Sequence, residues 1–464
     1  WRTAEPVPYE RRTEGEHITP AVGDNWGKLW DCAWFRVTGS VPESAAGSHV
    51  VLLLDFAGEA CVFDETGTPV RGLTNVSSEF DKSLGEPGKR VLQLCNLAKG
   101  GEKIDMWIET GCNDLFGKYR DRGKIVQLDV ALCDDTLRDR YYDLITVAMF
   151  ARDTKDEARR GEASEAAAAA LEALESGDTA RAGEILSAEL AKKNDEGALE
   201  MTAVGHAHID LAWLWPIRET KRKGGRTFAT MNELMDRYPD YIFGASQPQL
   251  LQWCKDMYPA LYAKLKKRHQ EGRFEVQGGL WVECDTNVTG GESLVRQLLY
   301  GKRFWREEFG DDQKMLWLPD VFGYSAQIPQ IMKKSGIDYF MTIKMSWNRV
   351  NKIPYHTFKW RAIDGSEVLA HMPPEGTYNS GATPRSLLNA ANNFAEKKIS
   401  NEALLLFGIG DGGGGPGPEH LEMLSREKDY KGLPKTKQGT AIDFFRRIEK
   451  DIDKLNTWAG ELYF

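Results

Sequence analysis

Three absences narrow the field before any motif is read. No apolar stretch approaches the ~18 residues a membrane-spanning helix needs, which argues against a membrane partner. Basic residues are not in excess: 60 Lys and Arg stand against 69 Asp and Glu, for a net charge of −9. Long Lys/Arg runs are also missing, so the chain lacks the charged face that nucleic acid or an anionic membrane selects. Paired cysteine motifs are absent too. The seven cysteines are an odd number and none form a CxxC, a pattern of reduced thiols in a cytoplasmic protein rather than of a disulfide framework. The chain begins at Trp1 and not at Met, and reads as a piece of a longer one.

What is present is an ordinary globular composition, 41% hydrophobic and 28% charged over 464 residues. At about 150 residues per domain that length implies two to four domains. The pattern changes twice along the chain. Residues 1–136 carry short β-type runs (34–37, 50–56, 61–63, 91–95, 104–108 and 125–132) separated by Gly, Pro, Asn and Asp, and predict an N-terminal β-sandwich with a hairpin turn at Glu65-Thr66-Gly67. Residues 137–197 are rich in Ala, Glu and Leu and predict a helical linker, with Ser176-Gly177-Asp178 ending one helix and capping the next. From 198 to 464, apolar strands at 201–205, 274–278, 315–318, 339–343 and 404–408 alternate with helical stretches such as 292–309 and 327–335. The fold class is therefore α/β, with a parallel sheet or barrel that gathers its site at the strand C-termini.

Three of those strands run straight into candidate chemistry. Gly205-His206-Ala207-His208-Ile209-Asp210 follows the first, and an imidazole two residues from a carboxylate suits a borderline cation such as zinc; two structural histidines are the plainer reading. Asp320 follows the strand ending at Leu318 and alone reads as a turn or helix-capping residue; a second polar strand end downstream of the first favours function. Asp411 stands in a loop of glycines, Gly408 to Gly415, that offers almost no other side chain and allows close approach of a ligand to the backbone. No Lys-Ser/Thr follows that loop, which argues against a phosphate-binding P-loop.

Taken together, the segments Gly205 to Pro216, Leu318 to Ser325 and Gly408 to Pro416 resemble glycoside hydrolase family 38, in its cytosolic and vacuolar-type α-mannosidase branch. Trp26 to Arg36 and Asp64 to Leu73 are similar to that branch's β-domain. The resemblance implies a (β/α)7 barrel over residues 198–464, holding one zinc through His208, Asp210 and Asp320, and ending with the start of the next region. It also implies a fourth protein ligand, a histidine, shortly after a segment like Trp458 to Phe464, where this chain ends. Asp320 would be both ligand and nucleophile of a retaining hydrolase that removes α-linked mannose from oligosaccharides through a mannosyl-enzyme. Asp411 would be the general acid/base. Trp213 would form an aromatic floor under the sugar and Lys344 would place a cation beside the nucleophile; by themselves they read equally as a core tryptophan and a solvated lysine. Two rival readings remain, a metal-dependent carbohydrate deacetylase or amidohydrolase and a non-catalytic mannose-binding protein. A homo-oligomer is compatible with any of them.

Overall fold

The computed structural model describes residues 1–74, 90–117 and 122–464. In the N-terminal β-domain, strands Arg2–Thr3, Cys32–Ser40, Lys103–Gly111, Glu59–Phe63 and Pro69–Thr74 form one sheet in that spatial order. Gln127–Cys133, His49–Asp55 and Val91–Cys95 form a second, antiparallel sheet. Val50, Leu52 and Leu54 alternate along their strand and bury against Trp26, Phe56 and Ile108 of one shared core. Trp26 is fully enclosed because its only polar atom, Nε1, donates to Phe56 O at 2.8 Å. The expected hairpin turn lies between Glu59–Phe63 and Pro69–Thr74, where Gly67 takes φ 82°, a backbone conformation that costs other residues.

The helices Asp135–Asp153, Glu157–Glu175 and Thr179–Leu190 follow. Asp178 caps the third by accepting from Arg181 N at 2.9 Å. Buried Arg159 and Glu189 pair at 2.6 Å, and Tyr430 donates to the same carboxylate at 2.8 Å. These bonds tie the helical segment to the remainder of the chain.

Residues 200–464 contain two further sheets. Beside a two-stranded pairing of Gly323–Tyr324 with Leu462–Tyr463, these are the larger ones. In the first, Glu200–His206 pairs in parallel with Phe243–Ala245, Glu402–Phe407 and Lys435–Gln438, and Phe243–Ala245 pairs with Phe274–Val276. The second runs Met315–Trp317, Tyr339–Met341, Glu367–His371 in parallel, then Thr357–Arg361 antiparallel and Thr457–Ala459. A closed barrel over 198–464 is not seen: among the described residues no continuous ladder closes a ring. The two sheets meet through a few bonds at their margins. Gly279 N donates to Met315 O at 2.9 Å, and Leu404 N donates to the His371 ring Nε2 at 3.2 Å. Beyond His371 a parallel bridge joins the same chain to Glu402–Phe407, with Ser380 N donating to Leu406 O at 3.0 Å and Gly408 N to Ser380 O at 3.2 Å. The strands at 243–245, 357–361, 367–371 and 435–438 carried no clear sequence signal, being short or polar.

The β-domain is joined to the two-sheet domain by a buried ionic network on the helix Ile217–Arg237. Lys223 Nζ lies 2.7 Å from Glu59, which also receives Arg226 at 3.0 Å; Arg222 reaches Glu109 and Glu219, each at 2.8 Å. All these side chains are nearly solvent-free. Removing one member strands its partners in a low dielectric, a loss of about 3–5 kcal/mol. Glu59→Ala should therefore lower the urea midpoint of the chain markedly, and Glu59→Gln, which retains hydrogen-bonding capacity, should lower it less.

Candidate functional site

Because the strands within each sheet's core run parallel, their C-termini collect at one end, and seven of them deliver polar side chains there. His208 and Asp210 follow Glu200–His206, Asp320 follows Met315–Trp317, Lys344 follows Tyr339–Met341, and Asp411 follows Glu402–Phe407. Ser246 and Gln247 follow Phe243–Ala245, Glu283 follows Phe274–Val276 and Tyr378 follows Glu367–His371.

His208 uses its ring on both sides. Nε2 stands 3.4 Å from Asp210 Oδ1 and 3.5 Å from Asp320 Oδ2, and the three side chains group as potential metal ligands. Both separations are long for hydrogen bonds. They match the spacing of about 3.4 Å between ligand atoms placed tetrahedrally at zinc bond lengths of about 2.0–2.2 Å. Nδ1 lies 3.0 Å from buried Glu283 Oε2, and the charge of that carboxylate favours a proton on Nδ1, which leaves the Nε2 lone pair for a cation. The donor set fits zinc. Burial works against an imidazolium at His208, but Glu283, Asp210 and Asp320 outweigh it and raise its pKa well above the ordinary value. A cation must displace that proton, so its affinity falls as pH falls.

His206, the other histidine of the motif, does different work. It is fully buried and accepts from Trp317 Nε1 at 3.1 Å, and burial, aided by His208, lowers its pKa to about 3. Its role is to fill the core as a neutral ring.

Around Asp320 the environment favours the carboxylate. Burial pushes its pKa up, but His208 and Lys344 prevail and hold it down at about 2. Lys344, on the short turn Lys344–Trp347, is buried, 2.5 Å from Asp320 Oδ1 and 3.5 Å above the Trp347 ring. Asp411 is pushed the other way: burial first, then Asp320 and Asp210, raise it against the opposing pull of Tyr378 and His208. Tyr378 joins the two carboxyls, with its hydroxyl 2.8 Å from Asp320 Oδ1 and 2.5 Å from Asp411 Oδ1.

The backbone around these groups is strained in two places. Asp411 has φ 60° and Gln247 φ 65°, the left-handed region that side chains seldom occupy. Gln247 clamps two loops: Nε2 donates to Ile209 O at 2.9 Å and Oε1 accepts from Glu283 N at 3.1 Å. The Asp411 loop is held by Asp210 N donating to Asp411 O at 2.9 Å, and by Gly414 N donating to Thr227 Oγ1 at 2.9 Å. It also packs on the β-domain so closely that a Cβ on Gly412 would come 1.5 Å from Leu115 O.

The structure thus brings His208, Asp210, Asp320, Lys344 and Asp411 together. Trp213 lies on the loop after Asp210, half exposed and edge-on to Trp215 at 5.6 Å, outside the bonds that link the others. Glu283, Tyr378 and Gln247 were missed in the sequence. Glu283 and Tyr378 stand seven residues past their strand ends, too far for the strand-then-ligand signal; Gln247 is close to its strand, but that strand was itself too short to be seen.

Comparison with known proteins bears on this centre directly. The profile described as "Glycosyl hydrolases family 38 N-terminal domain" matches residues 198–461, and "Alpha-mannosidase, jelly roll domain" matches residues 1–149. "Alpha-mannosidase G" of Dictyostelium discoideum is 36% identical over 99% of this chain, which covers 43% of that protein. "Alpha-mannosidase 2C1" of Homo sapiens is 37% identical over 99% of the chain and 45% of its own length. "Alpha-mannosidase" of Saccharomyces cerevisiae is 33% identical over 99% and 45%. The chain spans less than half the length of these curated relatives. A profile match covering both the His208 and the Asp411 strand ends, with relatives that align along nearly every residue, identifies the chain as a member of glycosyl hydrolase family 38.

Proposed function

We propose that this chain carries the catalytic centre of a zinc-dependent, retaining α-mannosidase that removes α-linked mannose from oligosaccharides. The observation that carries this reading is the hydroxyl of Tyr378, shared between two carboxyls. Two contacts to one oxygen cap the Asp320–Asp411 separation at about 5.3 Å, within reach of the about 5–5.5 Å of retaining pairs and short of the about 6.5 Å at which inverting pairs begin.

That hydroxyl faces both carboxyls as a donor. A tyrosine has one hydrogen to give, and burial, then Asp411 and Asp320, hold Tyr378 well above its ordinary pKa, so it stays un-ionised. Its hydrogen is shared between Asp320, the carboxyl held low, and Asp411, the carboxyl held high. Two carboxyls whose surroundings push their pKa values apart are the acid/base signature of a glycosidase. Asp320, kept ionised by Lys344, attacks the anomeric carbon and forms the mannosyl-enzyme. Asp411 protonates the departing glycosidic oxygen, then takes a proton from the water that releases mannose.

His208, Asp210 and Asp320 would hold the zinc. Residues 462–464 run beside them: Leu462–Tyr463 pairs with Gly323–Tyr324, and Phe464 N donates to Phe322 O at 3.1 Å, two residues from Asp320. When bound, the zinc supplies a Lewis-acid grip on the cis 2- and 3-hydroxyls of mannose, the feature that separates it from glucose. Trp213 offers an exposed ring for the sugar face. The seven cysteines are all free, which suits a reducing, cytoplasmic setting.

Hydrolysis of p-nitrophenyl α-mannoside by the full-length protein should stop on chelation and return with zinc; turnover that persists in chelator would remove the metal from this account. Asp320→Ala should abolish turnover. Asp411→Ala should cost about 10²–10⁴-fold on natural mannosides and much less on activated aryl mannosides. Glu283→Gln should weaken zinc by about 10–100-fold, read by competition with a chromogenic chelator.

The pH profile carries a sign. Activity requires protonated Asp411, so kcat/KM should fall as pH rises through its elevated pKa. The Tyr378 contact lowers that pKa, hence Tyr378→Phe should move the alkaline limb to higher pH. A limb that stays in place would separate Tyr378 from Asp411.

A further inference from the structure

A second group of metal-ligating side chains lies in the β-domain: His49, Cys133 and Asp135, whose ligand atoms all fall within 4.8 Å of one another. Topology brings them together. His49 opens its strand and Cys133 closes the neighbouring one, and the two are directly paired in the antiparallel ladder. Asp135 is the first residue of the helix Asp135–Asp153. Asp134 is already committed as the cap of that helix, accepting from Leu137 N at 2.9 Å, so Asp135 is the carboxylate left to turn back over the strand ends.

His49 stands at the middle of this group, and its side chain is only 10% exposed. Nε2 is engaged by Gln93 Oε1, and Nδ1 faces both oxygens of Asp135, at 3.0 and 2.9 Å. A proton on Nδ1 makes that contact an ion pair; a metal ion in its place would be held by the same imidazole and carboxylate. Cys133 Sγ completes the third side, 3.8 Å from Asp135 Oδ1. Tetrahedral zinc with bonds of about 2.3 Å to sulfur and about 2.1 Å to oxygen needs a sulfur–oxygen spacing of about 3.6 Å. Arg138 lies 3.5 Å from the same Oδ1, while Oδ2 faces His49 Nδ1 at 2.9 Å.

We propose that His49, Cys133 and Asp135 form a second divalent-metal site, distinct from the His208 centre, that binds zinc or another thiophilic cation with solvent as the fourth ligand. Thiolate, imidazole and carboxylate are donors that select such a cation over magnesium or calcium. Gln93 orients the imidazole from behind, the role Glu283 has at His208. The bound ion joins the ends of two strands to the start of the helical segment, so it stabilises the junction of β-domain and helices.

Cobalt(II) distinguishes the sites, because only this one contains sulfur. The reduced, metal-stripped chain titrated with cobalt(II) should develop a thiolate-to-cobalt charge-transfer band in the near ultraviolet. Cys133→Ser should abolish the band, whereas His208→Ala and Cys95→Ser should retain it. Gln93→Ala should weaken cobalt binding by about tenfold or more. In the His208→Ala background, zinc should raise the thermal midpoint, and the rise should vanish on adding His49→Ala, a variant that leaves the thiol intact. Absence of the band in the unaltered chain, or its persistence in Cys133→Ser, would overturn the proposal.

Discussion

One imidazole, placed between a carboxylate behind it and two carboxylates in front, organises the candidate site of this chain. Glu283 behind His208 favours a proton on Nδ1, and Asp210 and Asp320 stand at distances that suit a cation better than hydrogen bonds. Without Glu283 the ring could turn or carry its proton on the wrong side. Without the strand ends, three negative groups would not stay this close. The strained Gln247 clamps both loops, and the cost of its conformation is offset by the interactions it makes possible.

The same economy governs the two carboxyls that Tyr378 joins. Lys344 and His208 lower one of them, while burial raises the other. In the proposed reaction, opposite shifts on a shared hydroxyl would divide the labour of nucleophile and acid between residues of the same type. The β-domain contributes to this division at a distance. Lys223 donates to Asp114 O at 3.2 Å and Leu115 O at 3.3 Å, and the Leu115 carbonyl is the surface against which Gly412 packs. The ionic network of the domain interface therefore supports the loop that presents Asp411.

His206 and His208 show what motif spacing alone leaves open. They are two residues apart and share a strand-end register, yet one is a neutral core ring under Trp317 and the other faces three carboxylates. His206 is the last residue of its strand and His208 lies two residues past it, on the loop that turns over the strand end. Likewise the Gly408–Gly415 run looks permissive in sequence, but at Gly412 the small residue is required by a carbonyl from another domain.

Strand ends that run straight into His208, Asp210, Asp320 and Asp411 were legible in the residue order, because a parallel strand carries whatever follows it to the same end of the sheet. The three-part division into β, helical and alternating segments was legible for a similar reason, since periodicity is a local property. Glu283 and Tyr378, each seven residues beyond its strand, and Gln247, after a strand of three residues, became site residues only when the loops folded back, and common residue types on long loops carry no local signal. The pairing of His49 with Cys133, 84 positions apart, and the division of the later strands between two larger sheets depend on which edges meet. Those are long-range choices set by packing and by the backbone groups left over at each edge, and no window along the chain contains them.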